Sequence, residues 1–283
     1  MDAQAEHSRK IALVTGSSSG LGRHIAKLLC KKGLHVYVIA RRKENLIELK
    51  NECLDEHLTG TIHVVSGDLS DKSFRKKLIN FIVKKEGQID YLFNNAGFGK
   101  SVRFEKQSDE DIKSMFEVNV VAYQHLSSLV LPYMKQRNKG RLIHTGSVVA
   151  FTPLPYFTTY NSTKSALYGF NRSLRYELKS SNVTSTILLP ARMKTGFAES
   201  AYDCYKKYGK TMCVNNFNKL AGDPYIVAKA IVSKMDEGKE FVLPTFKAKM
   251  WYLLRHFERT VDFIMKNILG PKELGHVDEM EGK

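Results

Sequence analysis

Tyr160 and Lys164 stand four residues apart in a stretch of helical spacing, so their side chains share one helix face. An ammonium beside a phenol favours the phenolate and lowers the phenol's pKa. A tyrosine tuned in this way can exchange a proton with a substrate oxygen near neutral pH. The pair alone would equally describe a surface contact, and position separates the two readings. Ser147 follows an apolar run and precedes Tyr160 by thirteen residues. Its hydroxyl can hydrogen-bond an oxygen on which negative charge develops. Asn119 interrupts an apolar helical stretch, Phe116-Glu117-Val118-Asn119-Val120. It is either a buried amide tying backbone together or the holder of a water beside Lys164 in a proton relay.

A second constellation could hold a phosphorylated ligand. Thr15-Gly16-Ser17-Ser18-Ser19-Gly20-Leu21-Gly22 joins an apolar run to an amphipathic one. Glycines permit a tight turn and let a pyrophosphate approach the backbone, while the helix beyond offers free N–H groups and a favourable dipole. The spacing G-x-x-x-G-x-G differs from the common G-x-G-x-x-G, and glycine–serine turns also occur without ligands. At the end of the next apolar run, where an acid would take a ribose 2′-hydroxyl, the chain has Ala40-Arg41-Arg42. A guanidinium can clamp a 2′-phosphate that an acid would repel, which favours NADP(H) over NAD(H). A solvated arginine pair at a helix start would look the same. Asp68, followed by Leu69, could accept a hydrogen bond from an adenine amino group or cap a helix beginning near Ser70.

These residues require a scaffold that brings strand ends together. Apolar runs at 11–15, 36–40, 62–65, 89–93, 141–145, 183–189 and 240–243 alternate with helical stretches at 21–32, 43–56, 73–85, 109–135, 158–180 and 225–235. That alternation predicts an α/β fold, a single Rossmann-type doubly wound parallel sheet of about seven strands with helices on both faces. Ligands in such sheets lie beyond the carboxyl ends of the strands, where all the residues above fall. Residues 1–245 are expected to form the dinucleotide-binding and catalytic domain, with 191–222 as a substrate loop or lid. Apolar residues recur at helical spacing from Phe246 to Ile268 among Lys247, Lys249, Arg255, Arg259 and Lys266. This predicts an amphipathic helical extension over 246–270, suited to packing on protein, to a second copy of the chain, or to an anionic membrane surface. Residues 271–283 read as a polar tail.

The formal net charge of +15 favours anionic partners, and lysine-rich solvated helix faces explain much of it. No zinc-finger spacing or RNA-recognition signature is present, so no nucleic-acid partner is expected. Cys30, Cys53, Cys204 and Cys213 form no C-x-x-C; free thiols and no metal site are expected. Sequons at Asn161, Asn171 and Asn182 fall in or at the end of the Tyr160 helix, which argues against modification. Residues 1–10 lack an apolar core and no run approaches a bilayer span, so a cytoplasmic chain, at most peripheral on a membrane, is expected. Phe98, Phe151, Leu154, Tyr156, Phe157, Phe197, Tyr202 and Tyr205 are candidates for an apolar substrate pocket or for packing of the lid.

In order and spacing, Thr15 to Gly22, Asn94-Asn95-Ala96-Gly97, Asn119, Ser147, Tyr160 and Lys164 together resemble the classical short-chain dehydrogenases/reductases, over roughly residues 9 to 245. The resemblance implies Tyr160 as general acid/base, Ser147 as stabiliser of the substrate oxygen, Lys164 as binder of the nicotinamide ribose, and Asn119 as the fourth member of a tetrad. It implies contacts from Asn95, with Ala96 and Gly97, to the adenosine side, and from Thr195 to the nicotinamide carboxamide. Pro190-Ala191 departs from the family's usual Pro-Gly, and alanine there restricts the backbone. The segments 95–99 and 150–156 look like a DltE-type branch, similar to long-chain 3-oxoacyl and hydroxysteroid reductases. A bulky apolar carbonyl or alcohol is then the implied substrate. An epimerase or dehydratase that retains its cofactor, and a cofactor-binding scaffold without turnover, are the alternatives.

Overall fold

The computed structural model describes residues 9–197, 201, 221–272, 275 and 278. Seven parallel strands form one sheet: β1 (Ile11–Thr15), β2 (His35–Ala40), β3 (Thr61–Ser66), β4 (Tyr91–Asn94), β5 (Gly140–Thr145), β6 (Val183–Leu188) and β7 (Phe241–Val242). Their order is β3-β2-β1-β4-β5-β6-β7, so the winding reverses between β1 and β4. The crevice at that switch point opens beyond the ends of β1 and β4, at Gly16 and Asn95.

The strands are apolar runs because both faces are covered. On one face Ala12, Val14, Val36 and Val38 meet α1 (Gly20–Lys31), α2 (Lys43–Asp55) and α7 (Pro224–Lys234) through Ile25, Leu29, Leu49 and Ile231. The alternate residues Ile11, Leu13, Tyr37 and Ile39 face α3 (Lys72–Glu86), α5 (Ala122–Gln136) and α6 (Thr158–Glu177) through Leu78, Ile82, Leu126 and Leu174. Each of these side chains is nearly fully buried, and each valine, leucine or isoleucine among them stabilises by roughly 1.5–3 kcal/mol by leaving water.

Between α4 (Asp109–Phe116) and α5 the chain makes one π-helical turn, Glu117–Val121. The extra residue in that turn rotates Asn119 inward, to full burial. The α3 N-terminus corrects the expected cap. Asp71 accepts from the Ser73 N–H at 2.7 Å, whereas Asp68 closes a turn ahead of the helix by accepting from Ser70 N and Oγ, both at 2.9 Å.

The apolar stripe after residue 245 does not form one helix. It divides into α8 (Phe246–Leu254) and α9 (Glu258–Ile264), the latter running into a π turn at Met265–Leu269. The His256 and Phe257 N–H groups turn back onto the Leu253 and Leu254 carbonyls, and Phe257 leaves the helical region at φ −122°. Tyr252 packs on Phe241 and Phe151, and the Arg255 guanidinium lies 3.8 Å from the Tyr252 ring centroid. Among the residues expected to form a tail, Pro271, Lys272, Gly275 and Asp278 are helical, and Asp278 pairs with Arg103. Among the described residues no helix is long and apolar enough to cross a membrane.

Candidate active site

A cavity of about 980 Å³ lies at the carboxyl ends of the strands. Gly16, Arg41, Asp68 and Asn95 line one part of it, and Ser147, Tyr160 and Lys164 line another. The two constellations legible in the sequence therefore share one space.

Lys164 is buried on the inner face of α6, and its Nζ donates to the Thr145 carbonyl at 2.8 Å, at the end of β5. The ammonium group sits 5.5 Å from the Tyr160 ring centroid and 5.9 Å from that of Tyr123. Burial brings the Lys164 pKa down to about 7, because the charged form loses its hydration. Burial likewise pushes the Tyr160 phenol above its usual range, opposed by a hydrogen bond with Ser147. The direction is opposite to that expected for a phenol lowered by its lysine, and its cause is the burial of the ring. Ser147 is held by its place between β5 and the 3₁₀ turn Val148–Ala150, where its Oγ accepts from Val149 N at 3.3 Å.

Asn119 serves as the tying amide. Its Nδ2 donates to the Phe98 carbonyl at 2.8 Å and to Thr163 Oγ1 at 3.2 Å, and its Oδ1 accepts from Phe98 N at 3.1 Å. It thereby fixes the loop after β4 against α6, one turn from Tyr160, without lining the cavity itself.

The glycine turn is built from inside. Thr15 Oγ1 accepts from the N–H groups of Asn95 and Ala96 at 2.8 and 3.0 Å, while Asn95 Nδ2 donates to the Thr15 carbonyl at 3.0 Å and its Oδ1 accepts from Thr145 Oγ1 at 3.2 Å. Asn95 lines the cavity, yet its side-chain amide is committed to protein. Thr15, Ser17 and Gly22 stand behind the wall, whereas Gly16, Ser18, Ser19, Gly20 and Leu21 line it. Gly16 has φ +70°, and a Cβ there would lie 2.7 Å from Ala96 Cα. At Gly22 a Cβ would lie 2.3 Å from the Gly16 carbonyl oxygen, so the turn closes only on glycine.

This rim fits a dinucleotide phosphate. Ser19, the N-cap of α1, gives no side-chain bond to the helix, and no acid occupies its first turn, so the first N–H groups and the dipole are open to an anion. Arg42 reaches Ser18 Oγ and Ser19 Oγ at 3.1 and 3.2 Å, and among the described residues no carboxylate pairs with Arg41 or Arg42. Leu69, Ala96, Gly97, Pro190 and Thr195 also line the cavity. Thr195 packs its methyl group against Gly20 and accepts from Phe197 N through its hydroxyl. Ala191 takes no positive φ, so the departure from Pro-Gly introduces no strain.

Phe98, Leu154, Phe157 and Phe197 give the cavity an apolar wall. Phe151 instead packs edge-to-face on Tyr168 and Tyr252 and belongs to the packing of α8, and Tyr156 lies outside the lining. Tyr202 and Tyr205, with most of the expected lid, lie outside the described residues.

Three contributors escaped the sequence reading. A Cβ at Gly99 would lie 3.1 Å from Tyr160 Cδ2, so that glycine makes room for the Tyr160 ring. Tyr123 is fully buried beside Lys164, and its hydroxyl has no hydrogen-bond partner among the described residues. Arg75, 2% exposed, joins the Leu69 carbonyl at 2.8 Å to Glu117 at 2.7 Å, linking the cavity floor to the π turn. Its signal was available: Arg75, Leu78, Ile79 and Ile82 form one helical stripe, in which a charge is out of place.

The fold has known counterparts. The short chain dehydrogenase family model matches residues 10–205. The chain is 29% identical over 250 residues to 11-beta-hydroxysteroid dehydrogenase-like 3 of Arabidopsis thaliana, covering 88% of this chain and 77% of that protein. It is similar to the solved alcohol dehydrogenase of the archaeon Thermococcus sibiricus complexed with 5-hydroxy-NADP, at 26% identity and TM-score 0.68, covering 79% of this chain and 88% of that one. A short-chain dehydrogenase/reductase of Burkholderia phymatum in complex with NAD shares the fold at 21% identity and TM-score 0.78, covering 90% and 95%.

Proposed function

The chain belongs to the short-chain dehydrogenase family, and from that premise we propose that it interconverts a carbonyl and an alcohol on a bulky, apolar substrate, with NADP(H) as hydride carrier. The observation that carries this reading is the convergence of Ser147, Tyr160 and Lys164 with the glycine turn around one cavity. When bound, the nicotinamide supplies or accepts the hydride at the reacting carbon. Tyr160 Oη delivers a proton to the substrate oxygen in reduction and withdraws it in oxidation. The Ser147 hydroxyl donates a hydrogen bond to that oxygen as negative charge grows on it. Lys164 anchors the ribose side and supplies a cation beside the phenol. Asn119 acts one step away, by holding Phe98 and Thr163.

Arg41 and Arg42 support NADP(H) in preference to NAD(H): both stand on the cavity rim at the end of β2, where they can reach a 2′-phosphate. The wall of Phe98, Leu154, Phe157 and Phe197 supports an acyl, steroid-like or retinoid-like substrate. Peripheral contact with an anionic lipid surface would suit such substrates. Phe246, Leu253, Phe257 and Phe263 are 55–81% exposed, among basic neighbours. Salt-sensitive co-sedimentation with anionic phospholipid vesicles checks that contact.

A panel of long-chain, steroid and small carbonyls followed by NADPH absorbance, repeated with NADH, tests the main reading. NADPH consumption with the bulky carbonyls is expected. Turnover with NADH at equal or better kcat/KM would remove the arginine argument. Binding of cofactor with no consumption on any carbonyl would return the scaffold reading.

A further inference from the structure

At the opposite end of the sheet from the cavity, where β2 and β3 begin, two imidazoles and a carboxylate face one another. Parallel pairing sets Tyr37 opposite His63 and His35 opposite Thr61, so His35 and His63 are diagonal neighbours on the face covered by α3. Their ring nitrogens, His35 Nδ1 and His63 Nε2, lie 3.4 Å apart. Glu86, the last residue of α3, completes a set whose donor atoms all lie within 4.8 Å of one another. We propose that His35, His63 and Glu86 form a binding site for a zinc-class divalent cation, with water in the remaining position.

Three observations carry it. First, the two imidazole nitrogens have the spacing of ligands sharing a metal: two Zn–N bonds of about 2.0–2.1 Å at a tetrahedral angle span roughly 3.3–3.4 Å. As a ring-to-ring hydrogen bond, 3.4 Å is long, and it would use one lone pair where a cation uses both. Second, the carboxylate has its supporting partner. Tyr37 is fully buried, and its hydroxyl donates to Glu86 Oε1 at 2.5 Å, which holds the carboxylate in place beside the two imidazoles. The Tyr37 ring also stacks on His63 with centroids 4.5 Å apart, fixing the plane of that imidazole. Third, all three ligands are partly buried, so the site is supported by protein yet open to an entering ion.

The surrounding charges limit the affinity. Lys85 stands 3.9 Å from Glu86 Oε1, and Arg9 and Lys50 act on His35 and His63 from their own sides. Glu86 is the one carboxylate against these cations in the set, so binding in the micromolar range is expected rather than the grip of a four-thiolate site. Residues 35, 63 and 86 come from three separate elements, so no local spacing announced the site.

Zinc chloride titrated calorimetrically into chelator-treated full-length protein tests the proposal, with Co²⁺ absorption as the report on geometry. One equivalent per chain and tetrahedral Co²⁺ bands are expected. His63→Gln and Glu86→Gln should each weaken binding at least about tenfold, while NADPH binding at the far end of the sheet is unchanged. Should those variants fold poorly, Lys85→Gln gives the opposite sign: loss of an exposed cation should tighten zinc several-fold. No saturable zinc binding, or binding indifferent to His63→Gln, Glu86→Gln and Lys85→Gln alike, would overturn the site without touching the catalytic assignment.

Discussion

If Tyr160 carries the proton as proposed, its phenol must hold that proton for carbonyl reduction and lose it for alcohol oxidation, and burial decides which state is the resting one. Desolvation raises its pKa, so the neutral phenol persists through neutral pH. Loss of the phenol's own proton is therefore not expected to limit reduction across neutral pH, and any change of rate there should follow Lys164 instead. Oxidation, which needs the phenolate, should climb as pH rises into the alkaline range. Initial rates in both directions from about pH 6 to about 10 check this, and an oxidation rate that falls towards alkaline pH contradicts it. Tyr160→Phe removes the transferable proton but little volume. It should keep cofactor affinity within about twofold while kcat drops by roughly 10²–10⁴. Lys164 divides its work differently: with a pKa near 7 and a hydrogen bond to Thr145, it titrates where the enzyme would operate. Lys164→Met should therefore weaken cofactor binding as well as turnover, a loss in both terms that Tyr160→Phe does not share.

Among the elements, the glycine turn leaves least latitude. It is pressed between its own backbone and Asn95, whose Nδ2 would lie 2.5 Å from a Cβ at position 22. Gly22→Ala should destabilise the fold by about 2 kcal/mol or more, through displaced backbone rather than lost contacts. Urea denaturation would register this, and NADPH titration should show weakened binding at temperatures where the variant stays folded. The same closeness explains why much of the site was legible. Turn residues at strand ends are dictated by backbone geometry, and buried parallel strands such as Val36 to Ala40 must be continuous apolar runs. Elements whose form depends on distant partners were less legible. The π turn at Glu117–Val121 keeps an apolar pattern that a regular helix would also show. The break between α8 and α9 has no glycine or proline to mark it; Arg255 and Tyr252 settle against Phe151, which is remote in sequence. Asp68 and Asp71 are equally good caps by type, and only the path of the chain selects the second.

For the molecule as a whole, the buried polar groups beneath the site set how the fold responds to acid. His144, fully buried on β5, pairs its Nδ1 with Asn94 at 3.2 Å, while its Nε2 has no hydrogen-bond partner among the described residues. Burial drives its pKa down to about 3. In the unfolded chain the same imidazole takes its proton near pH 6.5. Between those two values the unfolded state binds more protons than the folded state, so stability is lost as pH falls through the window and is fully present above it. One such group contributes a slope of at most about 1.4 kcal/mol per pH unit. His63, brought down to about 4, adds a second and narrower contribution. Both imidazoles face the α3, α5 and α6 side of the sheet, although 144 lies toward the catalytic end and 63 toward the other. Unfolding monitored between about pH 7 and 4 should show a steep acid loss. His144→Gln, which keeps a polar partner for Asn94 but cannot protonate, should flatten it even if it lowers stability at pH 7. An unchanged acid slope in that variant would assign the loss to carboxylates such as Glu52 and Asp111, whose ion pairs hold their pKa values low.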